Sequence, residues 1–147
     1  MSTILLIHGP NLNQLGKRDT ELYGSKTLAD IEALVADEAR KLGYVVEAFQ
    51  SNHEGALIDF LQQKSSGAVG IIVNPGALTH YSYALHDALV DTTLPAVEVH
   101  LSDISSRESW RRVSVIAPAC MLQVSGKKDL GYAEAVIALH EHLVRGV

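Results

Sequence analysis

The sequence predicts an α/β domain, a parallel five-stranded sheet with helices on both faces. Short apolar, β-branched runs alternate with amphipathic helical patterns along the chain. Gly, Pro or Asn bounds several of the apolar runs, as it does buried strands. No linker, repeat or low-complexity segment divides the 147 residues, so one domain spanning 1–147 is expected.

The first strand is Ile4-Leu5-Leu6-Ile7, ended by Gly9-Pro10. Leu28, Ile31, Val35, Ala39 and Leu42 follow at helical spacing, with Thr27 and Asp30 as a capping box and Gly43 as the stop. Val45 to Phe49 reads as the second strand, and a helix is expected from about Glu54 to Lys64 on Leu57, Ile58 and Leu61. Val69 to Val73 is the third strand. Ala84, Leu85, Ala88 and Leu89 mark the third helix, and Ala96 to Val99 the fourth strand. After an irregular stretch come a fifth strand, Met121 to Val124, and a helix carrying Tyr132, Val136, Leu139 and Leu143. Right-handed crossovers then build a three-layer sandwich, and five strands favour the flavodoxin-like order 2-1-3-4-5.

Composition narrows the function classes. Hydrophobic residues make up 47% and charged residues 20%, which excludes a disordered or coiled-coil chain. No apolar run approaches the ~20 residues of a membrane span, and the N-terminal segment lacks a basic region ahead of its short apolar run, so no signal peptide is read. Cys120 is the only cysteine, which fits a reducing, cytoplasmic setting. The net charge of −5 argues against nucleic acid or an anionic membrane as partner. Within that acidic chain Arg107, Arg111 and Arg112 cluster, as do Lys17 and Arg18. Local positive spots of this kind suit a small anion, or are simply solvated surface arginines.

Ligands in open α/β sheets bind beyond the carboxyl ends of the strands. Those ends here carry His8-Gly9-Pro10-Asn11, then Asn74-Pro75-Gly76 with Thr79-His80, then Glu98, His100 and Ser102. The loop after the first strand, about 11–24, is long for a βα connection and holds aliphatic residues, Arg18 and Tyr23, so it reads as a lid. It has neither a G-x-G-x-x-G nor a Walker pattern, which disfavours a nucleotide cradle. A flavin carrier or a phospho-receiver shares this fold. The first wants a Ser/Thr/Gly-rich phosphate loop, and the second an Asp where Asn74 stands.

Tyrosine is a poor base because its pKa is about 10, so ionisation near pH 7 needs ~4 kcal/mol. A cation ~4 Å away at an effective dielectric of ~20 supplies about that much before desolvation. Arg18 can therefore make Tyr23 a base, or the ring simply packs. Glu98 and His100 lie two apart, on one side of a strand, so the carboxylate can hold the imidazole as a general acid or as a structural pair. Asp87 is a helix charge or a hydroxyl ligand. No His or Cys spacing at the strand ends suits a metal, and none of the six lysines lies on a buried strand where a Schiff base would form.

The segments GPNLNQLGKR, LYG, QSNHEG, NPGALTHYSYAL and VEVHLSDI, followed by WRR, occur in this order. They resemble type II 3-dehydroquinate dehydratases from about Ile4 to Tyr132. The resemblance implies the flavodoxin-like fold, a dodecamer of four trimers and no cofactor. It implies dehydration of 3-dehydroquinate to 3-dehydroshikimate, in the shikimate pathway or in quinate breakdown. It matches Tyr23 to the base that removes the C2 proton, Arg18 to the lid arginine beside it, and Asn11 to the residue that holds the enolate oxygen through water. His100 matches the acid at the C1 hydroxyl, with Glu98 as its orienter. Asn74, His80, Asp87 and Arg111 match substrate contacts, as do the amides of Leu101 and Ser102 toward the carboxylate; Arg107 matches a further arginine near the site. The chain departs from the family at Asp19-Thr20, at Val113, at Ala117 to Met121 and at Lys127 to Asp129. The last three departures are expected to lie away from the catalytic positions and to affect subunit packing.

Overall fold

The computed structural model describes residues 1–146. Strand β1 (Ser2–His8) lies between β2 (Tyr44–Gln50) and β3 (Gly70–Asn74), and β4 (Ala96–His100) and β5 (Leu122–Ser125) continue the sheet. The order is β2-β1-β3-β4-β5 with every pair parallel, as the alternation predicts. The helices are a single turn, α1 (Thr20–Tyr23), then α2 (Leu28–Lys41), α3 (Glu54–Lys64), α4 (Tyr83–Thr92) and α5 (Leu130–Arg145).

The period-2 alternation of the strands divides the core. Ile4, Leu6, Ile72, Val97 and Val99 face Ile31, Val35, Tyr132, Val136 and Leu139 of α2 and α5. Leu5, Ile7, Ile71, Val73 and Ala96 face Leu57, Leu61, Leu85 and Leu89 of α3 and α4. Each such fully buried aliphatic side chain contributes about 1.5–3 kcal/mol by leaving water. The Thr27/Asp30 capping box forms, each side chain accepting from the other residue's amide.

Strand β1 runs from Ser2 to His8, longer than its apolar run, because pairing with β2 continues to His8 opposite Gln50. The polar end of the strand is therefore as well ordered as its apolar middle. The stretch after β4 holds three short 3-10 turns, at Ile104–Ser106, Ser109–Arg111 and Ala117–Ala119.

Candidate active site

Two glycine turns meet at the carboxyl ends of β1 and β3. A Cβ on Gly9 would lie 2.2 Å from the carbonyl oxygen of Pro75. Gly76 has φ +60°, and a Cβ there would approach the Pro10 oxygen to 2.9 Å. Only glycine permits this contact at both positions. It brings Asn11 (φ 70°) and Asn74 to one cleft. The QSNHEG segment braces the first turn: Asn52 Oδ1 accepts from the Asn11 amide at 3.0 Å, and Gln50 Nε2 donates to the Gly9 carbonyl at 3.2 Å. Asn74 is fixed in turn, donating to Tyr132 Oη at 3.2 Å and accepting from the Gly76 amide at 3.0 Å.

One cleft brings together Asn11, Arg18, Tyr23, Asn74, His80 and His100, with Leu101, Ser102, Arg107 and Arg111. The loop at 11–24 is anchored by Leu12 and Leu15, both buried in the core. The Asp19 side chain caps the turn that presents Tyr23, so Asp19-Thr20 keeps that turn in place. The Tyr23 hydroxyl oxygen receives two charged donors at 3.0 Å each, Arg18 Nη2 and Arg107 Nη1. The Arg18 guanidinium also lies 3.9 Å from the ring centroid. Arg107 donates to Ser102 Oγ at 3.3 Å as well.

On the other face of β4 from Val97 and Val99 stands the pair Glu98 and His100, with His100 Nε2 2.5 Å from Glu98 Oε2. Glu98 is fully buried. Burial alone would raise its pKa, but the hydrogen bond and charge of His100 and the hydroxyls of Thr79 and Ser114 outweigh it and hold the carboxyl below its usual range. Glu98 is therefore an anion behind the cleft wall. His80 Nδ1 lies 2.7 Å from the carbonyl oxygen of Val113, the arrangement of an N–H donor, which leaves Nε2 as the ring acceptor when the imidazole is neutral. The Arg111 guanidinium is held by Glu108 at 2.9 Å and lies 4.0 Å from the Trp110 ring centroid. Three arginines and no carboxylate line the cleft, which makes it a receptor for an anion. Among the described residues no group of three His, Cys, Asp or Glu side chains is placed to hold a metal ion. All six lysines are exposed and outside the cleft.

Three expectations need correction. Asp87 does not line this cleft; it faces solvent on α4 beside His86, because the helix turns that position away from the strand ends. His8 also stays out of it, buried against Glu32 on α2, since even-numbered positions of β1 face that layer. The departures at Val113 and Lys127 to Asp129 are not remote. The Val113 carbonyl holds His80, and the amides of Gly126 and Lys128 donate to the carbonyls of Ser102 and Leu101 at 3.1 and 3.0 Å. Both contacts use backbone atoms, so the side chain was free to change. Sequence reasoning missed the Thr79 and Ser114 hydroxyls, since Ser and Thr are also ordinary turn residues.

The comparisons with known proteins agree with this geometry. The family described as Dehydroquinase class II matches residues 2–140. The 3-dehydroquinate dehydratase of Bacillus mycoides is 50% identical over 97% of this chain and 98% of its own length. That of Bacillus cytotoxicus has the same identity and coverage. The crystal structure of type II dehydroquinase from Butyrivibrio crossotus superposes with a TM-score of 0.90 at 41% identity, over 94% of this chain and 97% of that one. The Propionibacterium acnes structure of that name gives 0.91 at 34% identity, over 96% and 97%. A paired-arginine tyrosine, a carboxylate–histidine pair and an anion cleft at the strand ends thus occur on a chain matched almost end to end, and the chain belongs to the class II dehydroquinase family.

Proposed function

We propose that the chain is a hydro-lyase that converts 3-dehydroquinate to 3-dehydroshikimate and water without a metal or organic cofactor. The observation that carries this reading is the Tyr23 oxygen held by two guanidiniums in a cleft that His100, backed by Glu98, also lines. Two charge-assisted donors thus stand at the oxygen that takes up the proton in this reading.

Tyrosinate 23 takes the proton from C2, and the C2–H electron pair moves into the adjacent ketone to give an enolate. Asn11 steadies that oxygen through a water molecule. The enolate then re-forms the ketone, the C1–C2 double bond forms, and the C1–O bond breaks. The departing hydroxyl takes the proton of His100 and leaves as water, with Glu98 stabilising the imidazolium beforehand. Proton return from Tyr23 to His100 through solvent resets the site. The substrate carboxylate is received by the Leu101 and Ser102 amides, and its hydroxyls by Asn74, His80 and Arg111. The exposed lysines support the absence of a Schiff base.

The large exposed side chains Tyr81, Trp110 and Val113 flank His80 at the cleft rim, which supports burial of that rim against further copies of the chain. The assembly proposed is the family's dodecamer of four trimers. A cytoplasmic location fits a chain in which no helix among the described residues is long and apolar enough to cross a membrane. The test is to add 3-dehydroquinate to chelator-treated protein and follow the absorbance of the conjugated enone. Turnover that survives the chelator is expected, and absence of turnover, or its loss with the chelator, would overturn the reading.

A further inference from the structure

Among the described residues Glu98 is the one fully buried carboxylate, and it stands behind the wall of the site; its hydrogen-bond partners follow from proton count and acceptor charge. Ser114 Oγ accepts from two amides, Ile116 at 3.2 Å and Ala117 at 3.0 Å. A hydroxyl has two lone pairs and one proton, so both acceptor positions of Ser114 are filled. Its proton must then be donated, and the Glu98 carboxylate, at 2.8 Å (Oε2) and 3.0 Å (Oε1), takes it in preference to Thr79 Oγ1 at 2.8 Å because a charged acceptor binds a hydroxyl proton more strongly than a neutral one. Thr79 Oγ1 lies 2.8 Å from Ser114 Oγ but finds no free lone pair there. Its proton therefore goes to Glu98 Oε2, with which it is in hydrogen-bond contact. Two amides in the turn before β5 thus aim two hydroxyls at one carboxylate. The turn itself is clamped on the Thr79 loop, because the Val115 amide donates to the Thr79 carbonyl at 2.7 Å.

A carboxylate that receives two neutral donors is stabilised as an anion whether or not His100 is charged. The shared proton of a tight Glu–His pair can reside on either partner, and only a proton on the imidazole serves a leaving hydroxyl. With Nε2 committed to Glu98, Nδ1 is the ring nitrogen left for that transfer. We propose that Thr79 and Ser114 are positioning residues for the elimination step, their hydroxyls holding Glu98 as an anion so that the proton of the Glu98–His100 pair stays on His100. This rests on the reading of His100 as the acid. Neither hydroxyl lies among the residues that line the cleft, so both act through Glu98.

The two half-reactions separate the idea from a merely structural role. Exchange of the C2 proton for solvent deuterium reports Tyr23, and enone formation reports His100. Thr79→Val keeps the shape of the side chain and removes the hydroxyl. It is expected to lower enone formation by about 10- to 100-fold, part of the ~10²–10⁴ that general acid catalysis supplies, while C2 exchange stays within about threefold of wild type. Ser114→Ala is expected to do the same, and Thr79→Ser to restore elimination because it returns the hydroxyl. Exchange and elimination falling together in Thr79→Val, or neither falling, would overturn the proposal. So would a Thr79→Ser variant as slow as Thr79→Val. Failure of the underlying reading shows elsewhere, as unimpaired elimination in His100→Ala, and removes this proposal with it.

Discussion

Tyr23 receives its two cations from different distances along the chain. Arg18 is five residues away, and that pair is legible from spacing within the 11–24 loop. Arg107 is 84 residues away and reaches the same oxygen only because the stretch after β4 folds back over that loop. The resemblance put Arg107 near the site, but nothing in the spacing tied it to Tyr23. Tyr23→Phe is expected to lower kcat by about 10²–10⁴, the usual worth of a general base, with an unchanged circular dichroism spectrum. Arg107→Ala is expected to lower kcat by about 10²–10³, as loss of a preorganised charged donor does. Steady-state kinetics checks both, and a variant that loses only KM would reduce Arg107 to a binding role.

At the scale of elements, the fold was legible because propensity, capping and hydrophobic period agree in each segment. The Thr27/Asp30 box and the α2 apolar stripe are examples, and Thr27→Ala is expected to cost about 1 kcal/mol in urea unfolding. What stayed hidden was where polar positions at strand ends face. His8 and Asn74 stand opposite each other in register, yet Asn74 reaches the cleft while His8 pairs with Glu32 in the α2 layer. Alternation assigns a side to each residue but does not say which neighbour takes its polar group. The Gly9–Gly76 contact is likewise a tertiary fact, invisible in two separate turns. Gly9→Ala is expected to destabilise by about 1–3 kcal/mol, as overpacking does, and to raise KM by displacing Asn11. Thermal melts and kinetics of the same variant check it.

On the scale of the whole molecule, the half-buried Cys120 and the buried Tyr132 tie stability to alkaline pH. Burial, and then the Glu98 charge, push the Cys120 thiol up to about 12. Burial raises the Tyr132 hydroxyl as well, against the opposing hydrogen bond from Asn74. Both folded values lie above the unfolded ones, so the unfolded chain loses these protons first as pH rises. Their contribution to stability is complete below about pH 8.5 and is lost as pH climbs toward the folded values. Urea midpoints are expected to fall from pH 8.5 to 11, and Cys120→Ala to flatten that fall. In light scattering, the proposed dodecamer is expected to give particles of twelve times the 15.9 kDa chain mass; a monomer at micromolar concentration would count against the assembly. The exposure of the rim could not be read from composition, because its apolar residues are scattered across the sequence from Tyr81 to Val113.

One reaction is divided between Tyr23 and His100, and proton NMR in D2O reads both halves at once. 3-Dehydroquinate is incubated with wild type, Tyr23→Phe and His100→Ala, and loss of the C2 proton signal is followed alongside growth of the enone. Both events are expected in wild type, neither in Tyr23→Phe, and C2 exchange without enone in His100→Ala. Exchange that persists in Tyr23→Phe, or enone formation that persists in His100→Ala, would contradict that division.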